Sequence, residues 1–168
     1  NGDAPLIEAE LLRELLDEHH RHRAQASFLT AIVDDAQRLG RVVRSAGGGV
    51  RIREWADANE AERAIHEVNT GIYCFDSQWL AAELPKLEPS PKKGEYYLTD
   101  LIVRAPRACA VRTDAAIAGC IGVDSREALA RAERLLQDRL RSHWMAEGVT
   151  FVDPASVFLD SQSCFGRD

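Results

Sequence analysis

Segments of helical and strand periodicity take turns along this chain, and that alternation constrains the fold more than any other feature. Leu6 to Arg23 carries Leu11, Leu12, Leu15, Leu16 and His19 at helical spacing, one stripe of a helix. Ala26 to Val33 (ASFLTAIV) is a short apolar run that suits a buried strand. Arg41 to Arg44 and Val50 to Glu54 read as two strands, with Gly47-Gly48-Gly49 as the hairpin turn between them. Ala58 to Glu67 reads as a short polar helix, Thr70 to Phe75 as a strand, and Asp76 to Leu84 as a helix stopped by Pro85. Glu88 to Gly94, with Pro89 and Pro91, is expected to be a loop. Tyr97 to Arg104 follows as a short helix ending before Pro106, and Ala108 to Arg112 as a strand. Ser125 to Met145 is the longest helix, with Ser125 as its N-cap and Leu129, Ala132, Leu135, Leu136, Leu140 and Trp144 as its apolar stripe. After Gly148 the texture changes to two short β pieces, VTFVDP and SVFLD. Helices and strands in alternation imply an α/β layered fold.

The chain has 168 residues, enough for one domain with a real core. A net charge of −6 speaks against non-specific binding to nucleic acid or to an anionic membrane. No apolar run is long enough to span a bilayer, and no secretory signal is visible. The cysteines Cys74, Cys109, Cys120 and Cys164 are scattered, with no CxxC spacing. That suits reduced thiols in a cytoplasmic protein. The chain opens at Asn1 and its single methionine is Met145, so it reads as a processed or partial chain.

Several residues carry candidate chemistry, each with a plainer alternative. Asp3 in the opening loop suits a Mg²⁺ carboxylate, or an aspartate that merely sits near a helix N-terminus. Asn69, just ahead of GIYCF, offers an amide to a sugar hydroxyl, or opens the strand as an Asx turn. GEYYLTD (94–100) is dense in polar and aromatic groups, yet also resembles a capped helix start. Asp124 ahead of the long helix is a second metal carboxylate or a helix cap. His19 and His22 share a helix face without further ligands around them; the tryptophans Trp55, Trp79 and Trp144 read as packing, with Trp55 the exception to watch because it follows Glu54. Gly47 to Gly49 has no helix after it, so it lacks the N-terminus that would bind phosphate.

Taken in order, the motifs say more than they do singly. GDAPLI, GRVVR, IRE, EVNTGIYCFD, GEYYLTDLI, GVDSREALARAE, GVTFVDP and a terminal GRD succeed one another. This series resembles the later part of the uridylyltransferase domain of the bifunctional N-acetylglucosamine-1-phosphate uridylyltransferase and glucosamine-1-phosphate acetyltransferase family. The resemblance covers nearly the whole chain, and EVNTGIYCFD and GEYYLTD are its most specific pieces.

The resemblance implies a Rossmann-like nucleotidyltransferase sheet over residues 1–147, its N-terminal part missing. Residues 148–168 would then start a left-handed β-helix. It implies transfer of UMP from UTP to N-acetylglucosamine 1-phosphate, giving UDP-N-acetylglucosamine, a cell-wall (peptidoglycan) precursor, and pyrophosphate. Mg²⁺ is the implied cofactor, with Asp3 and Asp124 at the positions of its ligands. Gly40, Glu54 and Asn69 match positions that hold the N-acetylglucosamine moiety, and Tyr97 and Thr99 match residues lining the sugar pocket, which Glu95 helps to shape. The family trimer rests on a β-helix of which only the start is expected here.

Three departures stand out. No counterpart of the family's glycine-rich, basic triphosphate loop is present, so the chain alone is expected to be inactive. The second metal position holds Asp124 where the family has asparagine. Trp55 and Ala56 stand where a basic residue usually follows the pocket glutamate. A different sugar-1-phosphate nucleotidyltransferase, or a degenerate non-catalytic sugar-nucleotide-binding or assembly module, are the alternative readings.

Overall fold

In a computed structural model, residues 3–90, 94–113 and 122–166 are described. Pro91 of the expected loop, Cys120 and the terminal Arg167-Asp168 lie outside these residues. The chain divides into two compact units, Ile7–Cys120 and a second made of Gly2–Leu6 with Ile121–Asp168.

In the first unit, helix α1 spans Ala9–Arg21 and buries Leu11, Leu15 and His19, one residue per turn. Leu12 and Leu16, expected on the same stripe, are 47% and 44% exposed, because one residue further on points about 100° round the helix. Strand β1 (Ala26–Ile32) lies inside a mixed sheet, with a neighbouring strand on either side. Strands β2 (Arg41–Arg44) and β3 (Val50–Arg53) form the hairpin expected around the glycine run, and Arg41 of β2 pairs with Val68. Val68 belongs to β4 (Glu67–Phe75), which runs antiparallel to β1, and β5 (Ala108–Arg112) runs parallel to β1 on its other side. Among the described residues the strand order is β3-β2-β4-β1-β5.

Strand β1 is buried from Ala26 to Ala31 because both of its faces are covered, and its two polar residues, Ser27 and Thr30, are hydrogen-bonded to His19 and Glu67. Leu29 and Ala31 pack with Leu11 and Leu15 of α1, while Ala26 and Phe28 pack with Val42 and Ile52 of the hairpin and with Ile102. Two elements differ from the sequence expectation. Helix α2 is only Glu60–Arg63, closed by a reciprocal Asn59–Glu62 capping box, and β4 begins at Glu67 rather than Thr70. A glutamate enters the strand because its carboxylate is met from neighbouring strands, by Thr30 at 2.8 Å and by Arg44 at 2.7 and 2.9 Å. Helix α3 (Ser77–Glu83) is capped by Asp76 and followed by a 3₁₀ turn over Leu84–Lys86. Helix α4 is Asp100–Arg104; the expected start at Tyr97 is instead a run of tight i→i+3 turns leading into it.

In the second unit, helix α5 (Arg126–Ala146) starts at Ser125, whose hydroxyl accepts from the Ala128 N–H. It ends in a Schellman turn, with Val149 N–H returning to Trp144 C=O and Gly148 N–H to Met145 C=O. Its buried residues are Ala128, Ala132, Gln137 and Arg141, whereas Leu129 and Leu135 of the expected stripe are exposed. The polar pair is buried for a reason. Gln137 accepts from the Leu159 N–H at 2.7 Å and donates to the Leu159 C=O at 2.8 Å, and Arg141 donates to the Val157 C=O at 2.9 Å. These side chains serve the backbone of 157–159 as a neighbouring strand would. Neither expected β piece is a strand: Asp153 caps a 3₁₀ turn at Pro154–Ser156, and Gln137 and Arg141 of α5 take the bonds of the segment that follows.

Candidate functional site

Four segments of the first unit converge on one polar cluster. Gly40, at the entry to β2, offers its carbonyl to the Asn69 N–H at 2.9 Å. A side chain at position 40 would put its Cβ 2.9 Å from Ile52 and 3.6 Å from both carboxylate oxygens of Glu54, so only glycine fits this approach. Glu54 follows the last residue of β3, and its carboxylate accepts from the hydroxyl of buried Thr99 at 2.9 Å. Glu54 and Thr99 are 45 residues apart in sequence. Asn69 is also buried; its Oδ1 accepts from the Gly71 N–H at 3.1 Å and its Nδ2 donates to the Tyr73 hydroxyl at 2.6 Å. Burial, opposed by the Asn69 bond, pushes the Tyr73 phenol up to about 12, and the Glu54 charge pushes in the same direction. The phenol therefore keeps its proton.

Beside this cluster lies a cleft of about 520 Å³ lined by Arg38, Glu54, Trp55, Ala56, Glu95 and Tyr97. Carboxylates beside two aromatic rings suit a ligand with hydroxyl groups on an apolar ring. Thr99 is joined to Glu54 by a hydrogen bond, Gly40 approaches it closely and is in turn bonded to Asn69, and Tyr97 and Glu95 meet it at the cleft. Trp55 is more than packing. The guanidinium groups of Arg41 and Arg63 lie over its ring at 4.9 and 4.6 Å, and Arg63 donates to its carbonyl. Arg41 is buried and spends its donors on the carbonyls of Ala36, Gln37, Leu39 and Arg63, which fixes the loop before Gly40. Burial lowers its pKa, and the Asp35 charge opposes that shift.

A larger groove, about 1020 Å³, lies elsewhere on this unit, between the glycine turn and β5. The site residues named above do not line it. Of the arginines that line it, Arg44 and Arg51 are paired with Glu67 and Glu62, and Arg107 donates to the Arg23 carbonyl at 2.7 Å.

In the second unit, the Val123 N–H donates to the Asp3 carbonyl at 2.7 Å, which sets the residue before Asp124 beside Asp3. An Asp3 carboxylate oxygen lies 3.6 Å from where a Cβ on Gly122 would be. Both aspartates are exposed. Among the described residues no group of three or more His, Cys, Asp or Glu is arranged to hold a metal. Two exposed carboxylates on adjoining segments fit Mg²⁺, which takes one or two carboxylates and completes its shell with water and phosphate oxygens. The histidine cluster does not form a metal site: His19 is buried and hydrogen-bonded through Nδ1 to Ser27 at 2.9 Å, while His22 lies 3.3 Å from Glu18.

Sequence reading missed Tyr73, Arg38 and Arg41. A hydrophobic strand pattern absorbs Tyr73, and nothing in RLGR distinguishes a loop-fixing arginine from a solvated one. No helix among the described residues is long and apolar enough to cross a membrane.

No family model matches the chain. It is similar to the bifunctional protein GlmU of Geobacillus thermodenitrificans, 42% identical over 177 residues and covering 99% of this chain and 37% of that protein. GlmU of a Synechococcus strain is 45% identical over 169 residues, and GlmU of Limosilactobacillus reuteri 41% over 172, each covering 100% of this chain. The chain thus spans somewhat more than a third of these relatives, 37% and 38% of the latter two. Among solved structures, a protein of Bacillus anthracis described as a glucose-1-phosphate thymidylyltransferase, crystallised with sucrose, superposes with a TM-score of 0.54 at 21% identity. It covers 85% of this chain and 52% of that one. That likeness is one of fold, and it agrees with the α/β mixed sheet.

Proposed function

Because the chain is a homologue of the bifunctional GlmU proteins along almost its whole length, we propose that it is the sugar-holding part of a sugar-1-phosphate uridylyltransferase. Its ligand is the N-acetylglucosamine end of UDP-N-acetylglucosamine or of N-acetylglucosamine 1-phosphate. The observation that carries this reading is the convergence of Gly40, Glu54, Asn69 and Thr99, four segments distant in sequence, on one polar cluster. A carboxylate and a side-chain amide, held by neighbours rather than by solvent, offer the sugar an acceptor and a donor in fixed positions. Asp3 and Asp124 are the residues that would hold Mg²⁺, a cation that neutralises phosphate charge. The nucleophile of such a transfer is a phosphate oxygen that is already anionic, so no general base is assigned.

Residues 148–168 correspond in this reading to the start of the relatives' β-helix, and trimer formation would belong to that β-helix. We expect binding without turnover from these 168 residues, whose sequence has no counterpart of the family's triphosphate loop; pyrophosphate release from UTP would count against this. Trp55, in contact with two arginines and standing where a basic residue is usual, and Asp124 in place of asparagine favour a second reading, a module that binds but does not catalyse.

The test is saturation-transfer NMR on UDP-N-acetylglucosamine, dTDP-glucose and ADP-glucose. The reading expects saturation of the acetamido methyl protons and of the sugar ring for the first ligand, and much weaker transfer to the other two. Equal transfer to all three would favour a different nucleotidyltransferase, and none to any would reject the sugar site.

A further inference from the structure

Strand β4 is irregular where the candidate site needs it to be. Opposite β1 its register runs from Phe28↔Tyr73 to Thr30↔Asn69, so Leu29 alone faces Thr70, Gly71 and Ile72. Gly71 has φ +79°, a left-handed conformation that permits the bulge. The Thr70 hydroxyl donates to the Leu29 carbonyl at 3.0 Å across it. In a regular strand, residues four apart stand about 13 Å from each other. Here the bulge shortens that span, and Asn69 Nδ2 reaches the Tyr73 hydroxyl at 2.6 Å.

The amide of Asn69 cannot be turned over without loss. A backbone N–H only donates, so the contact from Gly71 identifies the atom it meets as Oδ1, and the nitrogen then faces Tyr73. The Tyr73 ring is itself pinned, with Phe28 at 6.4 Å and Phe75 stacked on it at 5.7 Å. Phe75 in turn stacks on Trp79 at 6.3 Å. A row of four aromatic rings thus fixes the hydroxyl, and the hydroxyl fixes the amide.

We infer that Tyr73 is a positioning residue that sets which groups Asn69 shows to a ligand, and so determines selectivity at that point of the sugar. With one amide hydrogen spent on Tyr73 and one oxygen lone pair on Gly71, Asn69 keeps one N–H and one lone pair in a fixed order. A sugar substituent with an acceptor oxygen in the matching place is selected, and an acetamido carbonyl is the group of that kind that distinguishes an N-acetyl sugar from the plain sugar. This inference rests on the proposed sugar-nucleotide function.

Tyr73→Phe removes only the hydroxyl and keeps the aromatic row, so the variant is expected to fold. Two readouts separate the inference from the functional reading. The first needs no ligand: the Asn69 side-chain amide signals in a ¹H–¹⁵N spectrum, assigned by their loss in Asn69→Ala. In Tyr73→Phe they are expected to exchange with water several-fold faster, whereas unchanged exchange would overturn the hold on Asn69. The second is the ratio of affinities for UDP-N-acetylglucosamine and UDP-glucose, expected to fall about three- to tenfold, the worth of one hydrogen bond. Altered amide signals with an unchanged ratio would overturn the selectivity role. Should the wild type bind neither nucleotide sugar, the functional reading fails, and the amide signals alone decide whether Tyr73 holds Asn69.

Discussion

Thr99 and Glu54 are joined by one hydrogen bond between the turn before α4 and the end of β3, and each depends on the other. Thr99→Val keeps the shape, removes the donor and leaves the Glu54 carboxylate to find another. Calorimetry is expected to report UDP-N-acetylglucosamine binding weaker by about ten- to a hundredfold, since a bond to a charged group contributes roughly 1.5–3 kcal/mol. His19 gives a pH dependence of known sign. Burial lowers its pKa in the folded chain, aided by His20 and opposed by Asp76, so near neutrality it stays neutral against Ser27. The unfolded chain binds that proton at the ordinary value of about 6.5. Stability is therefore full above roughly pH 6.5 and falls as pH drops through the window down to the lowered folded value. Urea titrations from pH 7.5 to 5 are expected to show that decline, and His19→Gln to flatten it. At this scale the sequence named Asn69 and Glu54 as candidates through the motifs that hold them. It was opaque for Tyr73, because four residues along a strand are neighbours only when a bulge intervenes.

At the scale of elements, packing partners decided what periodicity could not. The helix over 126–146 was legible from its Ser125 cap and its length, yet its buried face is Ala128, Ala132, Gln137 and Arg141 rather than the leucines. A hydrophobic pattern cannot anticipate that a helix will serve a neighbouring backbone with hydrogen bonds. Gln137→Leu would leave the Leu159 N–H and C=O without their partners, a cost of about 1–3 kcal/mol for the second unit. Hydrogen exchange at the Leu159 amide measures it: protection is expected to fall in the variant, while protection of β1 stays as it was. For β4 the strand was legible from Thr70 on. Its first residues were not, because Glu67 looks like solvent-facing charge until Thr30 and Arg44 are set beside it. Burial raises the pKa of Glu67, but the bonds from Arg44 and Thr30 outweigh it and the net shift is downward.

For the molecule as a whole, the α/β alternation was enough to announce an α/β layered fold, and the ordered motifs were enough to announce the relatives; that the sheet is mixed came from the structure. What they could not supply was the division into two units, which follows from which segments pack together and not from any linker in the sequence. That division lets the metal and sugar readings be tested apart. Mn²⁺ as a paramagnetic substitute for Mg²⁺ is expected to broaden the amide signals of Asp3, Gly122 and Asp124 and to lose that effect in Asp3→Asn, whereas broadening spread evenly over the acidic surface would reject the pair as a site. The central claim, that Glu54 and Asn69 hold an N-acetyl sugar nucleotide, is tested most directly by calorimetric titration of UDP-N-acetylglucosamine into the wild-type chain and into Asn69→Ala. Saturable one-to-one binding by the wild type, lost in a folded variant, is the expected result; wild-type binding that survives unchanged in Asn69→Ala, or none from a folded wild-type sample, would rule the sugar site out.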